Sequence, residues 1–264
     1  MTNNTKEIIN IMKKLKNDTS NKTYYVVEDL SIFKLTKDFK LFCDTFFYCD
    51  ELIYSDEAKE IVGYYKINSR ICNKINKKSY NNLVSKDNAQ GLIGTFKYLK
   101  KEIGDFKNAK FVVVLDGLET PGNVGSIMRT CDACGVDLIL VINTRARIFN
   151  PKVMQASRGM QFFNNIIETD FKSANDFLTS NGFDIFLAEP IDGKNYKYYK
   201  YDGKIAIVVG SERYGIDKSW YDYKHNRVFI PMIGKMTSLN VSIAASIVIY
   251  EAFMKRVWIY LLGL

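Results

Sequence analysis

Three stretches of the sequence place amide, guanidinium, carboxylate and hydroxyl side chains just after apolar, β-branched runs. The first, LDGLETPGNVGSIMRT (115–130), follows FVVVL and contains Asn123 and Arg129. The second, VVGSERYGI (208–216), ends a strand in Gly210-Ser211-Glu212 and turns through Gly215. The third, VFIPMIGKMTSLNVSIAAS (228–246), breaks at Ile230-Pro231-Met232 and enters a helical pattern through Ser238-Leu239-Asn240. Polar groups at the C-terminal ends of parallel strands face the cleft where open α/β sheets bind ligands. There they can orient a bound molecule and assist a proton. The glycines of the first stretch, Gly117, Gly122 and Gly125, do not make the G-x-G-x-x-G of a dinucleotide cradle. No Gly-Lys-Ser/Thr follows, so it is not a phosphate loop either. An ordinary strand-to-helix turn whose glycines supply positive φ is the bland alternative.

These stretches need a scaffold, and the alternation of patterns supplies one. Apolar strands are expected at 111–115, 137–142, 185–189, 204–210 and 227–232. Helical periodicity falls between them at Val124–Cys134 and Ala174–Ser180, and a long helix closes the chain at Ser238–Arg256. Near-continuous β-branched strands alternating with helices predict a parallel sheet covered on both faces. Upstream, a helix is expected over residues 4–16, capped by Asn4 with Glu7 three residues on. Then come a strand YYVVE (24–28), a helix DLSIFKLTKD, a strand within FFYCDELIY (46–54) and a helix from Asp56. A helical segment near Lys78–Val84 and a strand GLIGTFKYL (91–99) follow. That is a small α/β domain of its own. The polar stretch Lys100–Lys110 reads as the linker, which divides the chain into domains 1–103 and 104–264.

Composition narrows the classes. The 264 residues carry a net charge of +8, about +4 in each half, so the chain favours an acidic partner without having a basic tail. Five cysteines at irregular spacing argue against a disulfide framework and for a reducing compartment. The first residues, MTNNTKEIIN, show no apolar signal region. VWIYLLGL near the C-terminus is too short for a membrane span, which needs roughly 20 residues; packing against the fold or a partner subunit is the expectation. A cytoplasmic protein with no membrane partner follows.

At the three stretches the sequence resembles the SpoU (TrmH-like) branch of the SPOUT RNA methyltransferases. Asn123, Gly125 and Arg129 meet N-x-G-x-x-x-R, with Gly135 downstream; Gly210, Glu212 and Gly215 meet G-x-E-x-x-G; Ile230–Met232 and Ser238–Ala244 meet the third motif. The match spans roughly Phe111 to Arg256. Thr120 stands where many relatives have Asp, and Arg213 where many have Gly. Arg213 is either a contact for an RNA phosphate or a solvated side chain.

The resemblance implies a parallel-sheet domain whose C-terminal segment forms a deep trefoil knot, S-adenosyl-L-methionine held there, and a homodimer. It implies methyl transfer to an RNA ribose 2′-hydroxyl. Arg129 is then the residue that activates the hydroxyl, directly or by binding the adjacent phosphate. Glu212 takes the proton or orders its loop, and Asn123, Ser238 and Asn240 orient the groups. Cofactor contacts are expected along Leu187, Ala188, Gly210, Ile230, Met232, Ser238 and Leu239. The N-terminal domain, ending in NAQGLIGTFKY (88–98), more weakly resembles the ribosomal-protein-like RNA-binding domain of rRNA-modifying relatives. It makes rRNA, 23S above all, the favoured substrate over tRNA; a dimerisation or stability module is the alternative. A non-catalytic RNA-binding protein on the same fold is the rival reading, and a nicotinamide oxidoreductase lacks its fingerprint.

Three further signals carry little. Cys131 and Cys134 form C-x-x-C inside a helix with no second ligand pair, so core packing is expected and no metal. YKYYKYDGK (196–204) interleaves aromatics with lysines as RNA-binding surfaces do, or is a solvated Tyr-rich connection. His225, the only histidine, is expected on the surface or in a loop.

Overall fold

A computed structural model describes residues 3–17, 23–84, 90–190 and 192–262. In chain order the elements are α1 (Asn3–Asn17), β1 (Tyr24–Val27), α2 (Leu30–Asp38), β2 (Cys43–Tyr48), α3 (Asp56–Ile67), β3 (Ser69–Lys74), α4 (Lys77–Asn81) and β4 (Leu92–Lys97). Then follow β5 (Phe111–Asp116), α5 (Pro121–Ala133), β6 (Leu138–Ile142), α6 (Pro151–Ser157), β7 (Ile166–Glu168) and α7 (Phe171–Ser180). The chain continues through β8 (Asp184–Glu189), β9 (Lys194–Asn195), β10 (Ile205–Val209), β11 (Asn226–Phe229) and α8 (Val241–Leu262). They form two compact units: residues 1–99 with 149–159, and residues 100–148 with 160–264. The division expected at 103/104 falls in a 3-10 helix, Ile103–Phe106, of the second unit. The excursion at 149–159 has no counterpart in the sequence reading. It folds with the first unit because Phe149 stacks on Tyr25 at 4.9 Å and α6 packs on β1.

The first unit is a four-stranded sheet in the order β1-β4-β2-β3. β1 and β2 run antiparallel to β4, while β3 lies parallel to β2. One group of buried residues gathers Met12, Val26, Phe47, Leu52, Ile75, Tyr80 and Ile93. Another is aromatic: the rings of Phe33, Phe46, Tyr65 and Phe96 contact one another at 5.3–6.1 Å. Tyr65 OH, buried among them, donates to Thr36 Oγ1 at 2.8 Å, and burial pushes its pKa up. β2 starts at Cys43, three residues before the expected strand, and β3 was not expected at all. Asn4 lies inside α1 rather than at its cap. Residues 88 and 89 of the NAQGLIGTFKY stretch lie outside the described residues.

The second unit is a seven-stranded sheet, order β7-β6-β5-β10-β8-β11-β9, with every pairing parallel. Its strands are aliphatic on both faces. Val112, Val114, Leu140, Leu187, Ala206 and Val208 pack with Phe177, Leu178 and Trp220 in one core cluster. The alternate residues Val113, Leu115, Ile139 and Ile207 are equally buried. From β5 the chain lays β6 and β7 to one side; the later strands lie on the other, beginning with β10. That makes the β5–β10 boundary the point where strand order reverses, the place at which such sheets open a crevice. β11 ends at Phe229, so Ile230-Pro231-Met232 is loop and not strand. Pro231 has no N–H to give a ladder. The YKYYKYDGK stretch turns inward: Tyr199 and Tyr201 pack on Phe186 at 5.3 and 4.9 Å, and Lys255 donates to Tyr199 O at 2.6 Å. α8 ends beyond the expected Arg256; the side chains of VWIYLLGL from residue 258 on lie outside the described set.

Candidate active site

The three stretches singled out in the sequence converge in the second unit. α5 opens with Pro121 in its first turn, where a missing N–H costs nothing. This puts Asn123 inside the first turn rather than ahead of the helix. Of the three glycines in the stretch, only Gly117 has positive φ (69°); Gly122 and Gly125 are helical residues. Asn123 donates through Nδ2 to Glu212 Oε1 and accepts through Oδ1 from Asn240 Nδ2 at 3.2 Å. Asn240 in turn sits just before α8, where its Oδ1 accepts from Ser242 N at 2.9 Å and from Ser242 Oγ at 2.6 Å. It caps that helix while fixing Asn123. A second link joins the two helices, Thr130 Oγ1 and Ser246 Oγ at 2.8 Å, with Ser246 Oγ donating to Ser242 O at 2.7 Å. Glu212, Asn123, Asn240 and Ser242 therefore form one hydrogen-bonded chain contributed by the start of α5, the loop after β10 and the start of α8.

Beside this chain lies a cleft of about 390 Å3. Ala188, Gly210, Ile230, Ser238 and Leu239 line it, as does Glu212; Leu187 and Met232 do not. Leu187 points the other way, into the core against β10. The wall is largely aliphatic, with Val209, Ile216, Val228 and Val241 joining the residues above. A Cβ on Gly210 would stand 2.3 Å from the Gly215 carbonyl carbon and 2.4 Å from Ile216 N. Only glycine lets the loop after β10 fold back so closely. That loop is a tight hairpin: Ser211 N donates to Gly215 O and Gly215 N to Ser211 O, both at 2.9 Å. Arg129 is exposed, and among the described residues its side chain makes no hydrogen bond or ion pair.

A buried anchor that the sequence reading did not find holds this region. Asp116, at the end of β5, accepts from Asn143 Nδ2 at 2.9 Å, Asp217 N at 2.9 Å and Trp220 Nε1 at 3.1 Å. It ties the turn after β6 and the segment after the Ser211–Gly215 hairpin to the central strand. Burial raises its carboxyl above the usual range, against the pull of those three donors. Its signal in the sequence is slight: FVVVL ends in a lone carboxylate, FVVVLD. At the far wall Glu189 accepts from Tyr221 OH, and burial, with that contact, pushes the Tyr221 phenol up to about 12. Cys131 and Cys134 are buried and free, and burial alone pushes the Cys134 thiol up to about 11. No group of His, Cys, Asp and Glu among the described residues is arranged to hold a metal. His225 is half-buried in the loop before β11.

The fold and this site define a class, and comparison with known proteins names it. Residues 110–250 match the SpoU rRNA Methylase family, more than half the chain. The chain belongs to that family. A Staphylococcus epidermidis protein, provisionally named a TrmH family tRNA/rRNA methyltransferase, is 39% identical over 153 residues, covering 57% of this chain. The match spans 61% of that relative's length. Among solved structures, an AdoMet-bound rRNA methyltransferase from Sinorhizobium meliloti superposes with a TM-score of 0.81 at 21% identity, covering 96% of each chain. An RNA 2′-O ribose methyltransferase superposes with a TM-score of 0.75 at 21% identity, covering 97% of each. At such identities the likeness is one of fold.

Proposed function

We propose that the chain is an S-adenosyl-L-methionine-dependent RNA methyltransferase acting on a ribose 2′-hydroxyl, with 23S rRNA favoured over tRNA as substrate. The observation that carries this is the Glu212–Asn123–Asn240 chain at the lip of an apolar cleft. The cleft fits the cofactor: its volume is that of a small-molecule site, its walls suit an adenine, and Gly210 leaves bare backbone against it. Ala188, Gly210, Ile230, Ser238 and Leu239 would hold the cofactor, which supplies a methyl group already carried on a good leaving group.

The remaining work falls to the chain's own side chains. Arg129, exposed and presenting the planar fork of a guanidinium, binds the phosphate beside the target ribose and polarises its hydroxyl. Asn123 fixes one oxygen of Glu212, which leaves the other to accept the hydroxyl proton. Asn240 keeps Asn123 in that orientation, and Ser238 borders the cleft where the ribose enters. The C-terminal segment is proposed to pass through a trefoil knot, supported by family membership and by the packing of α8 on both α5 and β10. A homodimer is proposed on α8, where Ile243, Tyr250 and Met254 leave an exposed apolar stripe; sedimentation of the full chain measures it. The first unit is assigned to RNA recognition, and the protein to the cytoplasm. Among the described residues no helix is long and apolar enough to cross a membrane.

The test is transfer of labelled methyl from S-adenosylmethionine to unmodified rRNA and, separately, tRNA, with Arg129→Ala alongside. Label in rRNA that survives alkali as a resistant dinucleotide, and is lost in the variant, supports the reading. Label in tRNA alone overturns the substrate assignment. No cofactor binding turns the reading to a non-catalytic RNA-binding protein.

A further inference from the structure

The hairpin beside Glu212 carries an aromatic ring that the reaction does not use. Tyr214 is 64% exposed, although it sits in a short loop held firmly from beneath. The backbone amides of the three residues 213–215 are all satisfied by Ser211. Arg213 N and Tyr214 N donate to Ser211 Oγ at 3.2 and 3.4 Å, and Gly215 N donates to Ser211 O at 2.9 Å. Ser211 itself is buried, and the clash that any Cβ at Gly210 would meet shows how little room the loop has to shift. The Arg213 guanidinium lies 5.2 Å from the centre of the Tyr214 ring, within cation–π reach. Among the described residues lining the cleft, Arg213 is also the one cationic side chain, beside the carboxylates of Glu189 and Glu212. A largely exposed ring, with a guanidinium over one face and its backbone pinned, thus stands two residues from the carboxylate of the site.

We infer that Tyr214, backed by Arg213, is a stacking platform for an unpaired nucleobase of the RNA substrate. The inference rests on the RNA reading of the site above and specifies the form of RNA it takes: single-stranded, with a base out of its stack. Aromatic rings stack any base, because every base has a π-face, and arginine beside the ring adds charge for the neighbouring phosphate. The hairpin pays the ordering cost on folding, so the ring needs little rearrangement on binding. Arg213 thus both backs the ring and lends charge for a phosphate, which a solvated side chain would not do.

The experiment compares binding of a 12-nucleotide oligouridylate and an abasic 12-mer of equal charge to the full chain, by fluorescence anisotropy. The wild type is expected to prefer the base-bearing strand by about 10-fold. Tyr214→Ala should lose that preference while binding the abasic strand as the wild type does. Tyr214→Trp should keep it, with indole emission quenched by the oligouridylate only. Arg213→Ala should weaken binding of both strands. An unchanged preference in Tyr214→Ala, or none in the wild type, overturns the inference. Titration of S-adenosylmethionine into each protein separates the two readings. A wild type that binds no cofactor yet shows the Tyr214-dependent preference loses the methyl-transfer reading and keeps the platform. Proteins that all bind the cofactor, with a preference indifferent to Tyr214, lose the platform alone.

Discussion

The two units solve the same problem, burying a sheet under helices, with different strand directions, and the difference decides where chemistry can gather. In the second unit every strand is parallel, so the C-terminal ends of β5, β8, β10 and β11 share one edge. Loops far apart in sequence meet there: Asn123 reaches Glu212 across 89 residues, and Asn240 reaches Asn123 across 117. In the first unit β4 runs against both β1 and β2, so its loops are dealt to opposite edges. Its polar contacts are correspondingly those of a scaffold, such as the buried Tyr65–Thr36 hydrogen bond and the Arg70–Asp44 ion pair on the rim. A parallel sheet collects functional groups; a mixed sheet of this kind offers a surface.

The contrast can be pressed experimentally, starting at the tightest point. Gly210→Ala should destabilise the protein by about 2–3 kcal/mol and weaken S-adenosylmethionine binding by at least about 100-fold, because the new Cβ meets only backbone. Calorimetric titration and a thermal melt read both effects, and near-wild-type binding would mean that the hairpin is looser than its hydrogen bonds imply. Asn123→Ala should lower kcat for methyl transfer by about 100-fold and leave cofactor affinity within about threefold, since Asn123 is not among the residues lining the cleft. An equal loss in both would place it in the cofactor site instead.

Asp116→Asn should cost about 1–3 kcal/mol in denaturant titrations, because an amide cannot accept from all three donors. The Asp116 carboxyl is raised in the folded protein, so its stabilising contribution is complete below the unfolded value of about 4 and fades as pH climbs through the folded value. The stability gap between wild type and variant should therefore be widest near pH 4 and narrow toward neutrality. The first unit supplies the opposite case. Gly63 lies inside α3 with nothing within 4 Å of an added Cβ. Gly63→Ala should raise stability by about 0.5–1 kcal/mol and leave methyl transfer unchanged. A loss of activity there would show that the first unit does more than present a surface.

What the sequence made legible follows the same division. The strands of the second unit announce themselves because burial on both faces demands unbroken aliphatic runs, and FVVVL, DLILVI and KIAIVVG have no other reading. β3, SRICNK, lies at the edge of its sheet and is only partly buried, so it carries no alternation to detect. β7 has three residues and α6 has seven, too few to show a period. That Asn123, Glu212 and Asn240 meet beside one cleft is legible because each lies in a stretch that follows a parallel strand. Their order in a chain of hydrogen bonds is not, since it depends on how α5 and α8 pack. Trp220 as a partner of Asp116 lay further out of reach. Nothing in a tryptophan 104 residues away marks it as the donor to a strand-end carboxylate.

The excursion at 149–159 bears on how the protein is made. The first unit leaves the ribosome first, yet its last piece begins fifty residues after Leu99 and is complete only after sixty. At typical rates of synthesis that delay is about 3–12 s. Through that interval Tyr25 lacks the ring of Phe149, and β1 lacks the helix that covers it. β5, α5 and β6 have meanwhile emerged. The N-terminal portion must therefore wait, partly uncovered, while the beginning of its successor is already available to fold. A nascent chain stalled before residue 149 would hold both units unfinished at once.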